Sequence, residues 1–125
     1  MKKLLVALLS ISLFACATNT SDASVHVISS QDAMEMMENE SDYVIVDVRT
    51  PEEYNASHIP DAINIPVETI EDKPQELSNV NQLILIYCRS GNRSNQAANK
   101  LAQLGYTNLY DFGGIMNWTG EIVSE

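Results

Sequence analysis

Apolar residues in this chain fall into short runs that are separated by polar stretches. Five of these runs are rich in aliphatic and β-branched residues and predict strands at 25–28, 43–48, 62–65, 83–87 and 108–111. Apolar positions at helical spacing predict helices over 31–38 and 96–104, and Pro51 marks the first turn of a third, shorter helix. Strands that alternate with helices in this way predict an α/β fold, with a parallel sheet covered by helices on both faces.

The first fifteen residues have a pattern of their own. Lys2 and Lys3 precede an uninterrupted run without charges from Leu4 to Ala15. A charged start followed by a short apolar core is typical of a secretory signal, and this core is too short to span a bilayer as a helix. We therefore expect a signal peptide over 1–15, a polar tether over 16–24 and one domain over 25–125.

Two cleavage sites are compatible with this signal. Leu13-Phe14-Ala15-Cys16 resembles the lipobox of bacterial lipoproteins, in which Cys16 is lipidated, whereas Ala15-Cys16-Ala17 also fits the small-x-small site of ordinary signal peptidase. We favour lipidation because Cys16 directly follows the apolar core. The domain is then expected on the periplasmic side of the cell envelope, anchored to a membrane by its lipid, and to the outer membrane if the source has two. Ordinary cleavage would instead release a soluble periplasmic protein.

The charge of the chain restricts its partners. It carries 17 acidic and seven basic residues, with a formal net charge of −10. Such a chain repels nucleic acid and anionic lipid, so we expect no nucleic-acid partner and membrane contact only through an N-terminal lipid. Arg89 and Arg93 nevertheless lie close together beside Cys88, which predicts a small anionic ligand there. No long apolar stripe is left over, so we expect a monomer.

Cys88 is the candidate nucleophile. It lies where the strand 83–87 ends and a helix follows, and free N–H groups at a helix start favour a thiolate. If Cys16 is lipidated or removed, Cys88 is a single thiol in an oxidising compartment, either buried and inert or reactive, and its position favours the reactive interpretation. The ligands of a zinc site are missing, so we expect neither metal nor cofactor. Asp47 and Arg49 follow a neighbouring strand and are expected at the same sheet edge.

Four segments, taken together and in this order, resemble the rhodanese (sulfurtransferase) family, specifically its bacterial single-domain members. They are Asp47-Val48-Arg49 with Glu53-Tyr54, residues 58–66, residues 87–94, and Gly113-Gly114 with Trp118. The resemblance implies an α/β/α sandwich around a five-stranded, mainly parallel sheet. It departs from the family beside His58-Ile59-Pro60, where Asn-Ala-Ser precedes and Asp61 follows, because the family commonly has glycine on each side.

The resemblance also implies a reaction and a six-residue active-site loop, Cys88 to Arg93. The Cys88 thiolate would take the outer sulfur of a donor such as thiosulfate as a persulfide, and a thiophilic acceptor such as cyanide or a thiol would remove it. The rest of the loop would bind the anionic donor, and it consists of Arg89, Ser90, Gly91, Asn92 and Arg93. Of the two arginines we favour Arg93, since family loops often end in arginine or threonine.

Three residues outside the loop are interpreted as structural support. We expect Asp47 and Arg49 to form an ion pair that supports the loop. His58 has the chemistry of a general base, but a thiolate that its own loop already stabilises needs no base, so we interpret His58 as structural too.

Two other functions compete with sulfur transfer by turnover. A persulfide carrier or binding module of the envelope would keep the same cysteine and hand its sulfur to another protein. Cysteine-dependent phosphatases and arsenate reductases include enzymes of this fold, but they need a cysteine, five residues and then an arginine. That position is Ser94 here, and Arg93 falls one residue early. The shorter loop therefore favours sulfur over phosphate.

Overall fold

The apolar runs at 43–48 and 83–87 form neighbouring strands in the middle of a sheet. The computed structural model describes residues 23–125. Its strands are β1 (Val25–Val27), β2 (Tyr43–Asp47), β3 (Ile63–Asn64), β4 (Leu83–Cys88) and β5 (Leu109–Gly114). Its helices are α1 (Ser30–Asn39), α2 (Pro51–Ala56) and α3 (Asn92–Gln103), with 3-10 turns at Val67–Thr69 and Ile115–Asn117. The strand order is β1-β5-β4-β2-β3, and every pairing in the sheet is parallel.

Both faces of the sheet are buried, which explains the nearly unbroken apolar runs of β2 and β4. Side chains alternate along β4, so that Ile84, Ile86 and Cys88 join the core that includes α3. Leu85 and Tyr87 point to the opposite core, which contains Ala33 of α1 and packs against Tyr54 of α2. These layers confirm the predicted α/β/α architecture around a five-stranded sheet.

The helices begin at recognisable caps. The Ser29 hydroxyl accepts a hydrogen bond from the Asp32 N–H at the start of α1, and Thr50 forms a capping box with Glu53 at the start of α2. α3 begins at Asn92, four residues before the predicted start at Gln96. Its first turn, residues 92–95, is polar and overlaps the cysteine loop, so no run of apolar residues marks the start of the helix.

The segment between α2 and β3 is tied to the end of the described chain. His58 and Val123 form an antiparallel bridge through two backbone hydrogen bonds of 2.8 Å. Within this segment Asp61 has a φ of +67°, the left-handed region that glycine adopts most easily. Aspartate is one of the few other residues that tolerate this conformation, so the turn forms although the glycine common in the resembled family is absent.

The predicted signal peptide, Cys16 and most of the tether lie outside the described residues. Within residues 23–125, no helix is both long and apolar enough to cross a membrane.

Candidate active site

Cys88 is the last residue of the central strand β4, and its side chain is buried. The backbone N–H of Gly91 donates to the Cys88 sulfur over 3.0 Å. Gly91 caps α3 with a φ of +113°, a left-handed conformation that lets the chain turn from strand to helix within three residues. The sulfur therefore lies at the N-terminus of α3, where N–H groups and the helix dipole favour negative charge.

Ser94 is a second partner of this sulfur. Its Oγ lies 3.4 Å from Cys88 Sγ and donates to the carbonyl oxygen of Gly91 over 3.0 Å. The thiol donates in this arrangement; once it loses its proton, the Ser94 hydroxyl can turn its hydrogen toward the thiolate. From the sequence alone, Ser94 was considered only for the loop spacing, and this contact was not predicted. The signal was present, because Ser94 shares one face of α3 with buried residues at helical spacing, Ala97, Ala98 and Leu101.

The end of β5 forms one wall of the loop. The α-carbon of Gly114 packs so closely on the loop backbone that an added Cβ would lie 2.0 Å from the Arg89 carbonyl oxygen. The Met116 N–H donates to that same oxygen over 3.2 Å. Gly114 is therefore required by the closeness of two backbones, which explains why the Gly113-Gly114 pair accompanies the cysteine loop.

The two loop arginines have different surroundings. The Arg93 guanidinium makes two bonds to the Glu53 carboxylate, of 2.7 and 3.0 Å, whereas Arg89 is exposed and has no ion pair within the described residues. Of the other three predicted donor-binding residues, Ser90 and Asn92 are exposed at the loop surface and Gly91 is half-buried. Assignment of these residues to donor binding stays a prediction.

Glu53 was named in the sequence analysis only as part of a motif, yet it is the counter-ion of Arg93. The bonds from Arg93 are the largest cause that lowers the pKa of Glu53 from 4.5 to about 2. The same bonds are the main reason that the pKa of Arg93 is raised. Both groups are therefore charged near neutral pH.

Asp47 and Arg49 form a buried ion pair at the end of β2. Arg49 Nη2 lies 2.6 Å from Asp47 Oδ2, and Arg49 also donates to the carbonyl oxygen of Ser57 over 2.6 Å. Asp47 is the register partner of Tyr87, so its side chain lies on the sheet face opposite the Cys88 sulfur. The hydrogen bonds of the ion pair thus hold the segment before β3. Any support that the pair gives to the cysteine loop must act through the sheet.

The Tyr87 hydroxyl extends this buried polar group. It accepts a hydrogen bond from the Ile59 N–H over 3.1 Å, next to Asp47 and Arg49. Burial is the main cause that raises the pKa of Tyr87 above its usual value. The hydroxyl therefore stays neutral and holds strand β4 to the segment before β3.

His58 lies away from the sulfur and packs between α2 and the last described residues of the chain. Its ring is buried, stacks on Tyr54 with ring centroids 3.9 Å apart, and has Nδ1 2.8 Å from the Tyr54 carbonyl oxygen. Its Nε2 lies 3.7 Å from a Glu125 carboxylate oxygen. None of its hydrogen bonds reaches the loop, and its structural role stays a prediction. In the part of the chain that the structure describes, no cluster of His, Cys, Asp and Glu could hold a metal ion.

Comparison with known sequences adds an independent line of evidence. Residues 29–121 match the family described as the rhodanese-like domain. A sulfurtransferase of Allochromatium vinosum is 37% identical over 95 residues, which are 75% of this chain and 88% of that protein. Thiosulfate sulfurtransferase PspE of Escherichia coli is 35% identical over 71 residues, 56% of this chain and 68% of that protein. The chain spans 21% of adenylyltransferase and sulfurtransferase UBA4 of Meyerozyma guilliermondii, with 36% identity over 90 residues, 66% of this chain.

Solved structures show the same architecture. A rhodanese with anions from E. coli superposes with a TM-score of 0.62 and 32% identity, covering 66% of this chain and 99% of that one. A rhodanese-like domain protein from Staphylococcus aureus gives a TM-score of 0.69 and 30% identity, covering 79% of this chain and 97% of that one. The sequence comparisons and the structural comparisons therefore point to the same rhodanese-like fold.

The closeness of Gly114 to the loop predicts the effect of a single methyl group. Gly114→Ala must push the Arg89–Ser90 backbone away, which should cost about 1–3 kcal/mol of unfolding free energy. It should also slow alkylation of Cys88 by iodoacetamide at neutral pH, because the displaced loop no longer holds the Gly91 N–H on the sulfur. Gly105→Ala is the control: Gly105 has a φ of +101° but open space around it, so that variant should lose stability and keep native alkylation. Native alkylation in Gly114→Ala would contradict this description of the loop.

The Glu53–Arg93 ion pair predicts a pH-dependent contribution to stability. Since folding lowers the pKa of Glu53, the pair stabilises the domain fully above about pH 4.5, and this contribution disappears as the pH falls toward 2. Urea unfolding should therefore show native protein more stable than Glu53→Gln at pH 7, with a difference that shrinks between pH 5 and pH 3. A difference that stayed constant over that range would show that the carboxylate charge contributes nothing.

Proposed function

The chain belongs to the rhodanese-like family, and we propose that it is a sulfurtransferase that carries sulfane sulfur on Cys88. One observation carries the proposal: a buried thiol ends the central strand, and its sulfur accepts the Gly91 N–H at the start of α3. The names of its relatives in Allochromatium vinosum and E. coli support sulfur transfer as the general chemistry.

In the first half-reaction, the Cys88 thiolate attacks the outer sulfur of a sulfane donor such as thiosulfate. An S–S bond forms between Cys88 and that sulfur, the S–S bond within thiosulfate breaks, and sulfite leaves with the electron pair of the broken bond. The product is an anionic Cys88 persulfide. The Gly91 N–H, the Ser94 hydroxyl and the N-terminus of α3 would stabilise negative charge at Cys88 before and after attack.

In the second half-reaction, a thiophilic acceptor attacks the outer sulfur of the persulfide. With cyanide, a C–S bond forms, thiocyanate leaves, and the Cys88 thiolate is regenerated with the electron pair of the broken S–S bond. A thiol acceptor would instead take the sulfur as its own persulfide. Neither step adds or removes electrons overall, so no redox cofactor is needed.

Arg89 and Arg93 would bind the anionic donor in different ways. Arg89 is exposed beside Cys88 with its charge free for an incoming anion, whereas Arg93 meets the donor with its guanidinium already bound to Glu53. Family loops favour Arg93 as the donor-binding residue, and Arg89 adds a second, exposed positive charge beside Cys88.

A sulfur carrier remains the alternative to a turnover enzyme, because both begin with the same persulfide. A carrier would keep the persulfide until a partner protein removes it, whereas an enzyme discharges it to a small acceptor in solution. The rate of discharge therefore separates the two.

Mass spectrometry after thiosulfate treatment tests the proposal directly. Native protein should gain the mass of one sulfur atom, and Cys88→Ser should gain none, since it lacks the nucleophile. Added cyanide should return the native mass and release thiocyanate. No gain on native protein would refute sulfur transfer through Cys88, and a persulfide that cyanide discharges only very slowly would favour the carrier.

We further propose that the protein acts on the periplasmic side of the cell envelope, anchored by a lipid on Cys16. The signal-like start and the lipobox-like Leu-Phe-Ala-Cys support this location. Cells that express the full chain should incorporate labelled palmitate into it, and Cys16→Ser should abolish that label. Label that persists in Cys16→Ser, or none in the native chain, would contradict lipidation at this residue.

A further inference from the structure

We propose that Glu53 is a positioning residue for the cysteine loop, because it holds the Arg93 guanidinium where it acts on anions that approach Cys88. The nature of the anion, a sulfane donor, rests on the proposed function. The positioning itself rests on contacts between α2 and α3.

The contact between the two side chains has the geometry that fixes a guanidinium most firmly. Two nitrogens of Arg93 bond to the two oxygens of Glu53, at 2.7 and 3.0 Å. Such a bidentate pair sets the plane of the guanidinium as well as its position. A guanidinium has five N–H donors, so three remain available after the pair forms. Glu53 thus fixes Arg93 without using up its capacity to bind an anion.

Glu53 is itself fixed by the start of its own helix. Its Oε1 accepts from the Thr50 hydroxyl over 3.2 Å and from the Thr50 backbone N–H over 3.4 Å, while the Glu53 N–H donates to the Thr50 hydroxyl. The capping box therefore orients the carboxylate as well as beginning α2. A fixed carboxylate is what a positioning residue requires.

Arg93 lies where a fixed charge affects the thiol. It is the second residue of α3, and the N-cap of that helix, Gly91, donates its N–H to the Cys88 sulfur over 3.0 Å. Without Glu53, the side chain would lose its two bonds and spread over many rotamers in solvent. The positive charge near the loop would then be less concentrated.

A simpler view of the pair predicts the opposite result. If Glu53 only neutralised Arg93, its removal would free a positive charge and make the loop more attractive to anions. Positioning predicts that removal makes the loop less attractive. The direction in which one measured ratio changes therefore decides between the two views of Glu53.

The ratio compares alkylation of Cys88 by iodoacetate, an anion, with alkylation by the neutral iodoacetamide. Dividing the two rate constants removes changes in thiol pKa and leaves the local potential at the sulfur. In Glu53→Gln this ratio should fall about threefold or more, as expected when a charge-assisted contact near the sulfur is loosened. Glutamine keeps the capping box, so circular dichroism should show the native fold.

Glu52→Gln is the matched control. Glu52 lies in the same turn of α2, is exposed, and carries the same charge, but it has no hydrogen bond to Arg93. Its alkylation ratio should equal that of the native protein. Glu53→Asp, which keeps the charge on a shorter side chain, should recover part of the ratio and serves as a second variant if Glu53→Gln does not fold.

A double variant tests whether the effect passes through Arg93. In an Arg93→Gln background, Glu53→Gln should leave the ratio unchanged, because there is no guanidinium left to position. A ratio that rises or stays constant in Glu53→Gln alone, or that falls equally in the Arg93→Gln background, would overturn the proposal.

Steady-state kinetics with thiosulfate extends the test to the proposed reaction. Glu53→Gln should raise KM about threefold or more with little change in kcat, because donor capture weakens while the sulfur keeps its own hydrogen bonds. The alkylation ratio needs no sulfur transfer. If thiosulfate adds no sulfur to native protein while the ratio still falls, the proposed function fails and the positioning role stands. If sulfur is transferred and the ratio does not fall, the proposed function stands and the positioning role fails.

Discussion

The Cys88 sulfur is buried, so any negative charge on it has to be stabilised by hydrogen bonds from the protein, because an unpaired buried charge is very unfavourable. Here the Gly91 N–H donates to the sulfur, and the Ser94 hydroxyl, which accepts from the thiol, can turn its hydrogen toward a thiolate. The hydrogen bonds constrain the rest of the loop. Gly91 must adopt a left-handed conformation to aim its N–H at the sulfur, and Gly114 must lack a side chain so that β5 can close against the loop. The residue types found at several positions around the carboxyl edge of the sheet are therefore explained by the need to surround one buried sulfur atom.

On the opposite face of the sheet, a buried ion pair also needs hydrogen bonds from the protein. A buried aspartate and arginine stabilise a fold only if their remaining donors and acceptors are also bonded. Arg49 meets this condition with the Ser57 carbonyl, and the Asp47 carboxylate also accepts from the Arg49 backbone N–H over 2.9 Å. In residues 23–125, no buried side-chain nitrogen or oxygen lacks a hydrogen-bond partner. The polar groups at both faces are thus bonded before any ligand arrives.

The strands and the position of Cys88 could be predicted from the sequence because both depend on local pattern. A run such as 83–87 is apolar at every position only when both sheet faces are covered. The partners of the sulfur were harder to predict. Ser94 is a polar residue on the apolar stripe of α3, so its helical spacing could have predicted that it is buried. Glu53 lies 40 residues from Arg93 in sequence, and their pairing depends on how α2 and α3 pack, which no local pattern records.

In this parallel sheet the amino ends of all strands lie at one end of the domain and the carboxyl ends at the other. Val25 starts the edge strand β1 and lies in the same row as Leu109 and Ile84, whereas Cys88 lies four residues farther along β4, about 13 Å in the strand direction. The chain thus enters the sheet upstream of the row at which the sulfur sits. The start of β1 and the Cys88 sulfur therefore lie toward opposite ends of the sheet, so contacts made at the start of β1 leave the cysteine loop uncovered.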